Sequence, residues 1–270
     1  MALTIPPVSG VTILDPAMAK QSIYESSAVQ KHMLGTKLDT GAEGRVFRYA
    51  KAAGTALVQA LMNQSGVTDA TYFSVIPQTA YPQVVGDRDI RVLVVTGAIA
   101  GEKVGAAENA FSGGWLVCNK VSPAVLGDIY QIVASKMFDE THIDLKLATP
   151  WRNAMLATGE VTLTVNKFYF STVFAAFAET APANGVALCP VPANYFYWSQ
   201  VKGPAPLMLD GSETFVIGEM VGCPATLGTP GAAGEFVVAA NAAHQPWGVC
   251  MEIANAGTGA EPGLVDLCLE

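Results

Sequence analysis

Hydrophobic and polar residues alternate in several short stretches of the chain, a pattern that predicts β-strands with one buried and one exposed face. The alternation is clearest over residues 161–165, where valine or leucine alternates with threonine. In residues 264–269 the three odd-numbered positions share an apolar face, while Asp266 points the other way. Leu264 and Cys268 blur this second alternation, but we still predict a closing strand there.

Other short runs of β-branched and aromatic residues also predict strands. They are residues 45–49, 92–95, 115–118, 129–134, 141–147, 185–189, 235–239 and 249–253. The continuous apolar run at 92–95 favours a strand buried on both faces. The best helix candidate is residues 50–62, which are rich in Ala, Leu, Lys and Gln but are interrupted by Gly54 and Thr55, and residues 23–31 fit a short helical turn. We therefore expect an all-β, mainly antiparallel fold, sandwich- or barrel-like, with at most short helices.

The most aromatic stretch is predicted to be a strand without an exposed face. Tyr195 and Tyr197 fall on one side of it, and Phe196 and Trp198 on the other. Two interpretations remain open for these rings, because aromatic side chains bury well either in a subunit's own core or in a contact with another subunit.

The residues after this aromatic strand predict a break and then a hairpin. Gly203, Pro204 and Pro206 should end regular pairing, because prolines are confined to sheet edges and turns. The Asp-Gly pair at 210–211 tolerates the positive φ angles of a tight turn, so we expect residues 207–209 and 214–217 to pair across it.

The organisation of the whole chain follows from its Pro- and Gly-rich stretches. Residues 1–21, with Pro6 and Pro7, predict an extended N-terminal arm that either lies on a partner or frays. A break near residues 148–159 divides the rest into β-rich domains at 22–148 and 149–270, unless both form one composite domain.

Composition changes this picture mainly through the low number of charges. Hydrophobic residues make up 51% of the 270 residues and charged residues 14%, against about 25% charged in an average soluble protein. A chain so poor in charge is expected to be part of an obligate assembly. The net charge of −8, with scattered lysines and arginines, argues against nucleic-acid binding. We find no apolar run long enough to cross a membrane and no secretory signal, and therefore expect folding in the cytoplasm.

Candidate chemical sites are few. The five cysteines are widely spaced, which favours buried thiols over disulfides or a zinc site. Glu140, His142 and Asp144 alternate, so they form either a comb of metal ligands or, as we favour, the solvated face of an amphipathic strand. Asp87 and Asp89 fit a charged turn. We therefore predict no catalytic, cofactor or metal site and no enzymatic activity.

Several blocks of sequence, in their order and texture, resemble the auxiliary head proteins of tailed bacteriophages, the decoration or cement proteins. They are IYESSAVQKHMLGTKL, GRVFRYAKAAGTAL, GGWLVCN, YQIVAS, TPWRNAM, VPANYFYWSQVKGPAPLML and EPGLVDLCLE, within residues 23–270. The resemblance implies a β-rich structural protein on the capsid exterior of a virion. Such a protein binds the lattice of the major capsid protein, commonly as a trimer, stiffens the shell and carries no catalytic residues.

With this resemblance, Phe196, Tyr197 and Trp198 become candidate contacts to another subunit or to the capsid, as do Pro6 and Pro7 in the arm. Two alternatives stay open. One is a receptor-binding fibre or spike subunit of a virion, and the other is a β-sandwich carbohydrate-active enzyme, whose paired carboxylates a sequence cannot exclude.

Overall fold

A computed structural model describes residues 12–13, 20–66, 72–73, 75–77, 84–94, 108–120, 127–139, 141–153, 159–174, 181–208, 216–222, 237–238, 246–252 and 262–270. This part of the chain is all-β and mainly antiparallel, as predicted, with one 3-10 turn at Gly41–Glu43 and no α-helix. Its strands are β1 (Thr12–Ile13), β2 (Lys37–Asp39), β3 (Val46–Lys51), β4 (Met62–Gln64), β5 (Ile76–Pro77), β6 (Asp89–Leu93), β7 (Trp115–Lys120), β8 (Ile129–Met137), β9 (His142–Leu147), β10 (Glu160–Thr164), β11 (Thr172–Val173), β12 (Ala183–Ala187), β13 (Phe196–Met208), β14 (Met220–Gly222), β15 (Val237–Val238), β16 (Pro246–Cys250) and β17 (Pro262–Cys268).

The chain forms two compact units, and one of them is an insertion into the other. The smaller unit holds residues 67–166, and the larger holds residues 9–66 together with 167–270. A boundary at 148–149, as drawn from the sequence, does not coincide with this division. The reason is that β10 follows that point in sequence but pairs with β7, which precedes it.

The smaller unit is a six-stranded sheet in the order β10-β7-β8-β9-β6-β5. The two end strands meet, because Val75, directly before β5, and Val161 of β10 exchange backbone hydrogen bonds of 2.8 and 2.9 Å. The sheet thus curls round on itself. Side chains from alternate strand positions, such as Leu116, Ile132 and Leu145, fill its interior.

Strand β6 corrects the prediction of a strand buried on both faces. Val92 and Val94 are fully buried, but Leu93 between them is exposed and lies opposite His142 of β9. The apolar run therefore alternates like an ordinary strand with one solvated face.

The larger unit is built around β13, the longest strand in the described residues. The path of its eleven-stranded sheet is β1-β2-β3-β13-β17-β16-β14-β15, and β12, β4 and β11 branch from β13. The first half of β13 pairs with β3 and β12, and the second half pairs with β17. The most aromatic stretch of the sequence is therefore the centre of this sheet.

The prolines of β13 do not interrupt pairing, contrary to our prediction. Pro204 and Pro206 lie opposite Asp266 and Leu264 of β17. Even-numbered residues of β13 direct their backbone nitrogen away from β17, since the N–H of Met208 donates to the carbonyl of Ala60 at 2.8 Å. A proline at these positions removes no hydrogen bond to β17.

A β-bulge before the two prolines separates the part of β13 that pairs with β3 from the part that pairs with β17. The pairing with β3 shifts between Gln200 and Lys202, and Gly203 has a φ of +81°. The buried amide of Gln200 donates to the carbonyls of Lys202, Gly203 and Pro204, the last at 2.8 Å. Added to Gly203, a Cβ would lie 2.6 Å from the carbonyl oxygen of Gly44, so the position requires glycine.

Two further predictions about local structure differ from what is observed. Residues 50–62 are not helical, because their backbone groups bond to distant segments, as when the N–H of Leu57 donates to Val191 at 2.8 Å. The hairpin after β13 is also wrong: β13 pairs with β17, and Val216 and Ile217 lie in an exposed turn. The Asp-Gly pair itself lies outside the described residues.

Within the predicted N-terminal arm the structure describes β1 and residues 20–21. Strand β1 adds in parallel to the edge of β2 of the same chain, opposite Lys37 and Leu38. The described cysteines are free thiols. Cys118 and Cys250 are buried as predicted, whereas Cys268 is exposed on β17.

Candidate functional site

The aromatic residues proposed as contacts lie in the interior of the protein. Trp198 is 1% exposed and Phe196 is 9% exposed, and both pack in the same cluster as Tyr49. Tyr197, on the other face of β13, is buried in the main core. Of the two open interpretations, burial favours the subunit's own core, and these rings present no surface to a partner.

A segment of residues 20–34 lies over this aromatic cluster and is held there by Gln21. The side-chain amide of Gln21 donates to the backbone carbonyls of Glu25 and Phe196, at 2.8 and 2.9 Å. Its oxygen accepts from the Tyr49 hydroxyl at 2.8 Å, and its backbone carbonyl accepts from the indole of Trp198 at 2.9 Å. Pro6 and Pro7, the other predicted contacts, lie outside the described residues.

The possible metal comb on β9 is the polar face of an amphipathic strand. His142, Asp144 and Lys146 are half-buried on one side, and Ile143, Leu145 and Leu147 are buried on the other. Glu140 lies outside the described residues. Among the residues that are described, no cluster of three potential metal ligands is found.

The carboxylates on this face are bound to neighbouring cations instead. The Arg91 guanidinium donates to both oxygens of Asp144, at 2.5 and 2.8 Å, and stacks on Phe138 with its carbon 3.3 Å from the ring centre. Lys146 approaches Asp89 at 3.8 Å. We call this outward surface of β6 and β9 the charged face, and its members are Asp89, Arg91, His142, Asp144 and Lys146, with Leu93 among them.

Beside the charged face, Asp139 caps the start of β9. It accepts the backbone N–H groups of Thr141 and His142, at 2.7 and 2.8 Å, and its carboxylate lies 2.9 Å from Nδ1 of His142. The hydrogen bond from the Thr141 backbone, with the His142 side chain as a further cause, holds the pKa of Asp139 well below its usual range.

The larger unit presents a very different surface on the outer side of β13, β17, β16 and β14. Directly opposed residues of an antiparallel sheet point to the same side, so the register defines this surface. Pro204 lies opposite Asp266, Asp266 opposite Val249, and Val249 opposite Met220. We call this surface the apolar face, and its members are Pro204, Pro206, Met208, Met220, Val249, Met251 and Leu264, with Asp266 among them.

Exposure confirms that the apolar face points away from the core. Met220 is 56% exposed, Met251 42% and Leu264 36%, whereas the alternate residues Val265 and Leu267 are buried. The face extends over four strands without interruption by a loop, because every neighbouring pair of these strands is hydrogen-bonded. A contiguous exposed apolar surface of this kind is typical of a protein interaction site.

The smaller unit also exposes a few apolar side chains, outside the charged face. Trp115 of β7 and Ile129 of β8 are both more than a third exposed. Both side chains point to the same face of the sheet, because Trp115 lies opposite Gln131 and Ile129 lies opposite Val117, two positions along each strand. This patch has fewer members than the apolar face and polar residues between them.

The reactive side chains that the structure describes are held in structural roles. Burial raises the pKa of the Cys118 thiol to about 12, which keeps it protonated and poorly nucleophilic. Lys51 is half-buried, and its Nζ lies 5.3 to 5.7 Å from the ring centres of Tyr169, Phe170 and Phe196. Burial lowers the pKa of Lys51, while the aromatic faces attract its charge.

The apolar face is the feature that the sequence analysis missed. Its signal was present in the blurred alternation of residues 264–269, where Leu264 and Cys268 occupy positions that a solvated strand would give to polar residues. The same holds for Pro204, Pro206 and Met208 at alternate positions of β13, although we had assigned the two prolines to a break in pairing and Met208 to one strand of a hairpin.

Comparisons of the chain with protein families, with characterised proteins and with solved structures found no match. No helix in the described ranges is long and apolar enough to cross a membrane.

Proposed function

We propose that this protein is a structural component of a virion, a decoration or cement protein that binds the outer surface of the major capsid protein lattice and stabilises the head of a tailed bacteriophage. In this proposal it acts on the capsid exterior after folding in the host cytoplasm, it is not an enzyme, and it needs no cofactor. The resemblance of its sequence blocks to such proteins is the origin of the proposal.

The observation that best supports the proposal is the apolar face. Three methionines, two prolines, a valine and a leucine occupy outward positions of a rigid sheet. Water solvates such a surface poorly, and burying it against a partner stabilises the complex by roughly 25 cal/mol per Å² of apolar area. A protein that functions by attachment to a large surface requires a face of this kind.

The chemistry of the described residues is compatible with a binding role. The carboxylates of the charged face are engaged with Arg91 and Lys146, and Asp139 beside it lies against His142. The thiol of Cys118 is buried and protonated. These groups stabilise the smaller unit and do not converge on an open cleft in the described ranges.

Binding to undecorated capsids tests this proposal directly. The protein is titrated against expanded, undecorated capsids, and bound protein is measured by sedimentation. We expect saturable binding at a fixed number of copies per capsid subunit, with unassembled capsid protein as the control that takes up little. Failure to bind the assembled lattice would contradict the proposal.

We further propose that the protein binds as a trimer. Sedimentation equilibrium of the free and the capsid-released protein measures this, since one chain has a mass of 28.2 kDa. A species three times as heavy supports the trimer, and a monomer at all concentrations contradicts it.

The arm remains a second predicted contact through Pro6 and Pro7. Deleting residues 1–11 removes both prolines but retains β1 and Gln21. We expect weaker capsid binding with unchanged thermal unfolding, and an unaltered affinity would exclude the arm.

A further inference from the structure

We propose that the apolar face docks on a protein surface that is itself apolar and that presents one lysine or arginine side chain opposite Asp266. This inference rests on the proposed function and specifies the chemistry of the partner at that site. It concerns the apolar face alone and leaves the contacts within a homo-oligomer to other surfaces.

The position of Asp266 within the face is the first step. Asp266 lies on β17 between Pro204 of β13 and Val249 of β16, and Leu264 is the next outward residue of its own strand. Apolar side chains therefore flank this carboxylate along the strand and on both neighbouring strands. A partner that covers the face must also cover Asp266.

The second step is that Asp266 has no ion-pair partner in the described ranges. The nearest cation by register is Lys202, which lies opposite Cys268, one outward position further along β17. Lys202 is exposed and forms no ion pair with Asp266. Asp266 thus differs from Asp144 of the charged face, which is held by Arg91.

Docking would remove water from Asp266, and an ionised carboxylate without water or a partner is strongly destabilising. A lysine or arginine on the partner restores the lost interactions through a charge-assisted hydrogen bond. The rest of the partner surface should be apolar, because the remaining members of the face donate and accept no side-chain hydrogen bonds.

The same carboxylate argues against a second copy of this face as the occupant. A twofold axis that passes through the face near Asp266 would bring two Asp266 carboxylates into the same dehydrated contact, and like charges there oppose binding. The chain as a whole carries a net charge of −8, which adds to the repulsion between copies. A heterologous partner with a basic residue avoids both costs.

The three methionines fit a partner surface with some relief. Met208, Met220 and Met251 have unbranched, flexible side chains that adapt to irregular apolar surfaces. The proline pair on β13, at one side of the face, is rigid. The face therefore combines rigid and adaptable side chains.

Charge reversal at Asp266 provides the test. Asp266→Lys, Asp266→Asn and the control Asp87→Lys are titrated against undecorated capsids beside the unmodified protein, and thermal unfolding of each is recorded. Asp87 lies in an exposed turn of the smaller unit, so its replacement changes net charge equally without touching the face. We expect Asp266→Lys to weaken binding by tenfold or more, Asp266→Asn to weaken it less, and Asp87→Lys to leave it nearly unchanged.

The outcomes separate this inference from the proposed function. If the unmodified protein binds and Asp266→Lys binds equally well while folding normally, the inference is wrong and the proposed function stands. If the unmodified protein does not bind the capsid lattice, the proposed function fails and this inference fails with it. If Asp266→Lys does not fold, the inference is tested instead by comparing the capsid binding of Asp266→Asn with that of the unmodified protein, because the amide keeps the size of the side chain.

Discussion

Strands β9 and β17 bury alternate residues in the same way and yet present opposite surfaces. The inward positions are Ile143, Leu145 and Leu147 in β9 and Gly263, Val265 and Leu267 in β17, and all of them are buried. The outward positions of β9 are His142, Asp144 and Lys146, whereas those of β17 include Leu264 and the isolated Asp266. The outward face of β9 is thus completed by ion pairs, whereas the outward face of β17 and its neighbours is largely apolar.

This difference shows which of the two outer surfaces is stable in water without a partner and which one is not covered by polar groups of its own. Arg91 is mostly buried between Asp144 and Phe138, so the charged face is stable in water without a partner. The apolar face has no such polar network among the described residues. The scarcity of charged residues in the sequence is therefore most evident on one sheet face, the apolar face, which we interpret as the contact surface.

The largest expected effects come from the inward positions, where the two strands are alike. Leu145→Ala in β9 and Leu267→Ala in β17 each remove a side chain that is 1% exposed. Both should lower the free energy of unfolding by about 2–5 kcal/mol, because each leaves a cavity in a packed core. Denaturant unfolding followed by tryptophan fluorescence measures this. A small effect at only one of the two sites would show that the inner faces of β9 and β17 are not packed alike.

Disrupting the ion pair of the charged face should have a smaller effect. Arg91→Ala removes a guanidinium that pairs with Asp144 and covers Phe138, and we expect a loss of roughly 1–3 kcal/mol in unfolding free energy. Lys146→Ala is the matched control, since its 3.8 Å pair with Asp89 is more exposed and should contribute at most about 1 kcal/mol. Equal losses in the two variants would show that burial of Arg91 does not matter.

A substitution on the apolar face should barely change stability in the absence of a partner. Leu264→Thr introduces a β-branched side chain, which suits a strand, and we expect a change within about 0.5 kcal/mol in unfolding free energy. The same variant should self-associate less at high concentration and bind capsids more weakly, because it reduces the apolar surface. Light scattering and capsid sedimentation measure these two effects. A loss of several kcal/mol would place Leu264 in the core and contradict the assignment of the face.

The smallest expected effect concerns unfolding at acid pH and comes from Asp139, beside the charged face. The folded-state pKa of Asp139 lies below its ordinary value of 3.8. Its contribution to stability is therefore present above about pH 4 and is lost as the pH falls towards the folded-state pKa. Asp139→Asn should unfold with a weaker dependence on pH between 4 and 2, and Leu264→Thr should retain the dependence of the unmodified protein. Identical acid profiles for all three proteins would exclude this role of Asp139.

Much of the fold follows from local patterns in the sequence. The alternation of apolar and polar residues in β10 and the short β-branched or aromatic runs in β7, β8 and β9 each form the predicted strand. The predictions of local structure fail where contacts between distant segments determine the conformation. Residues 50–62 have helix-forming side chains, but their backbone groups pair with other segments, and such tertiary contacts override a weak local preference.

The candidate site was harder to predict than the fold. Pro204 and Pro206 favour a turn when considered alone, and only the register with β17 shows that their nitrogens point away from the partner strand. We had predicted Phe196 and Trp198 as candidate contacts because their aromatic rings are large, yet the fold buries both. Which apolar residues remain exposed depends on the pairing of distant strands, and a sequence pattern does not contain that information.

Oxidative footprinting of the methionines tests the central claim most directly. Hydroxyl radicals are applied to the free protein and to the capsid-bound protein, and oxidation is quantified by mass spectrometry. Met220 and Met251 on the apolar face are compared with Trp115 and Phe138 of the smaller unit, all of which are exposed in the free chain. We predict that binding protects both methionines more strongly than it protects Trp115 and Phe138. Unchanged oxidation of Met220 and Met251 in the bound protein would contradict the account.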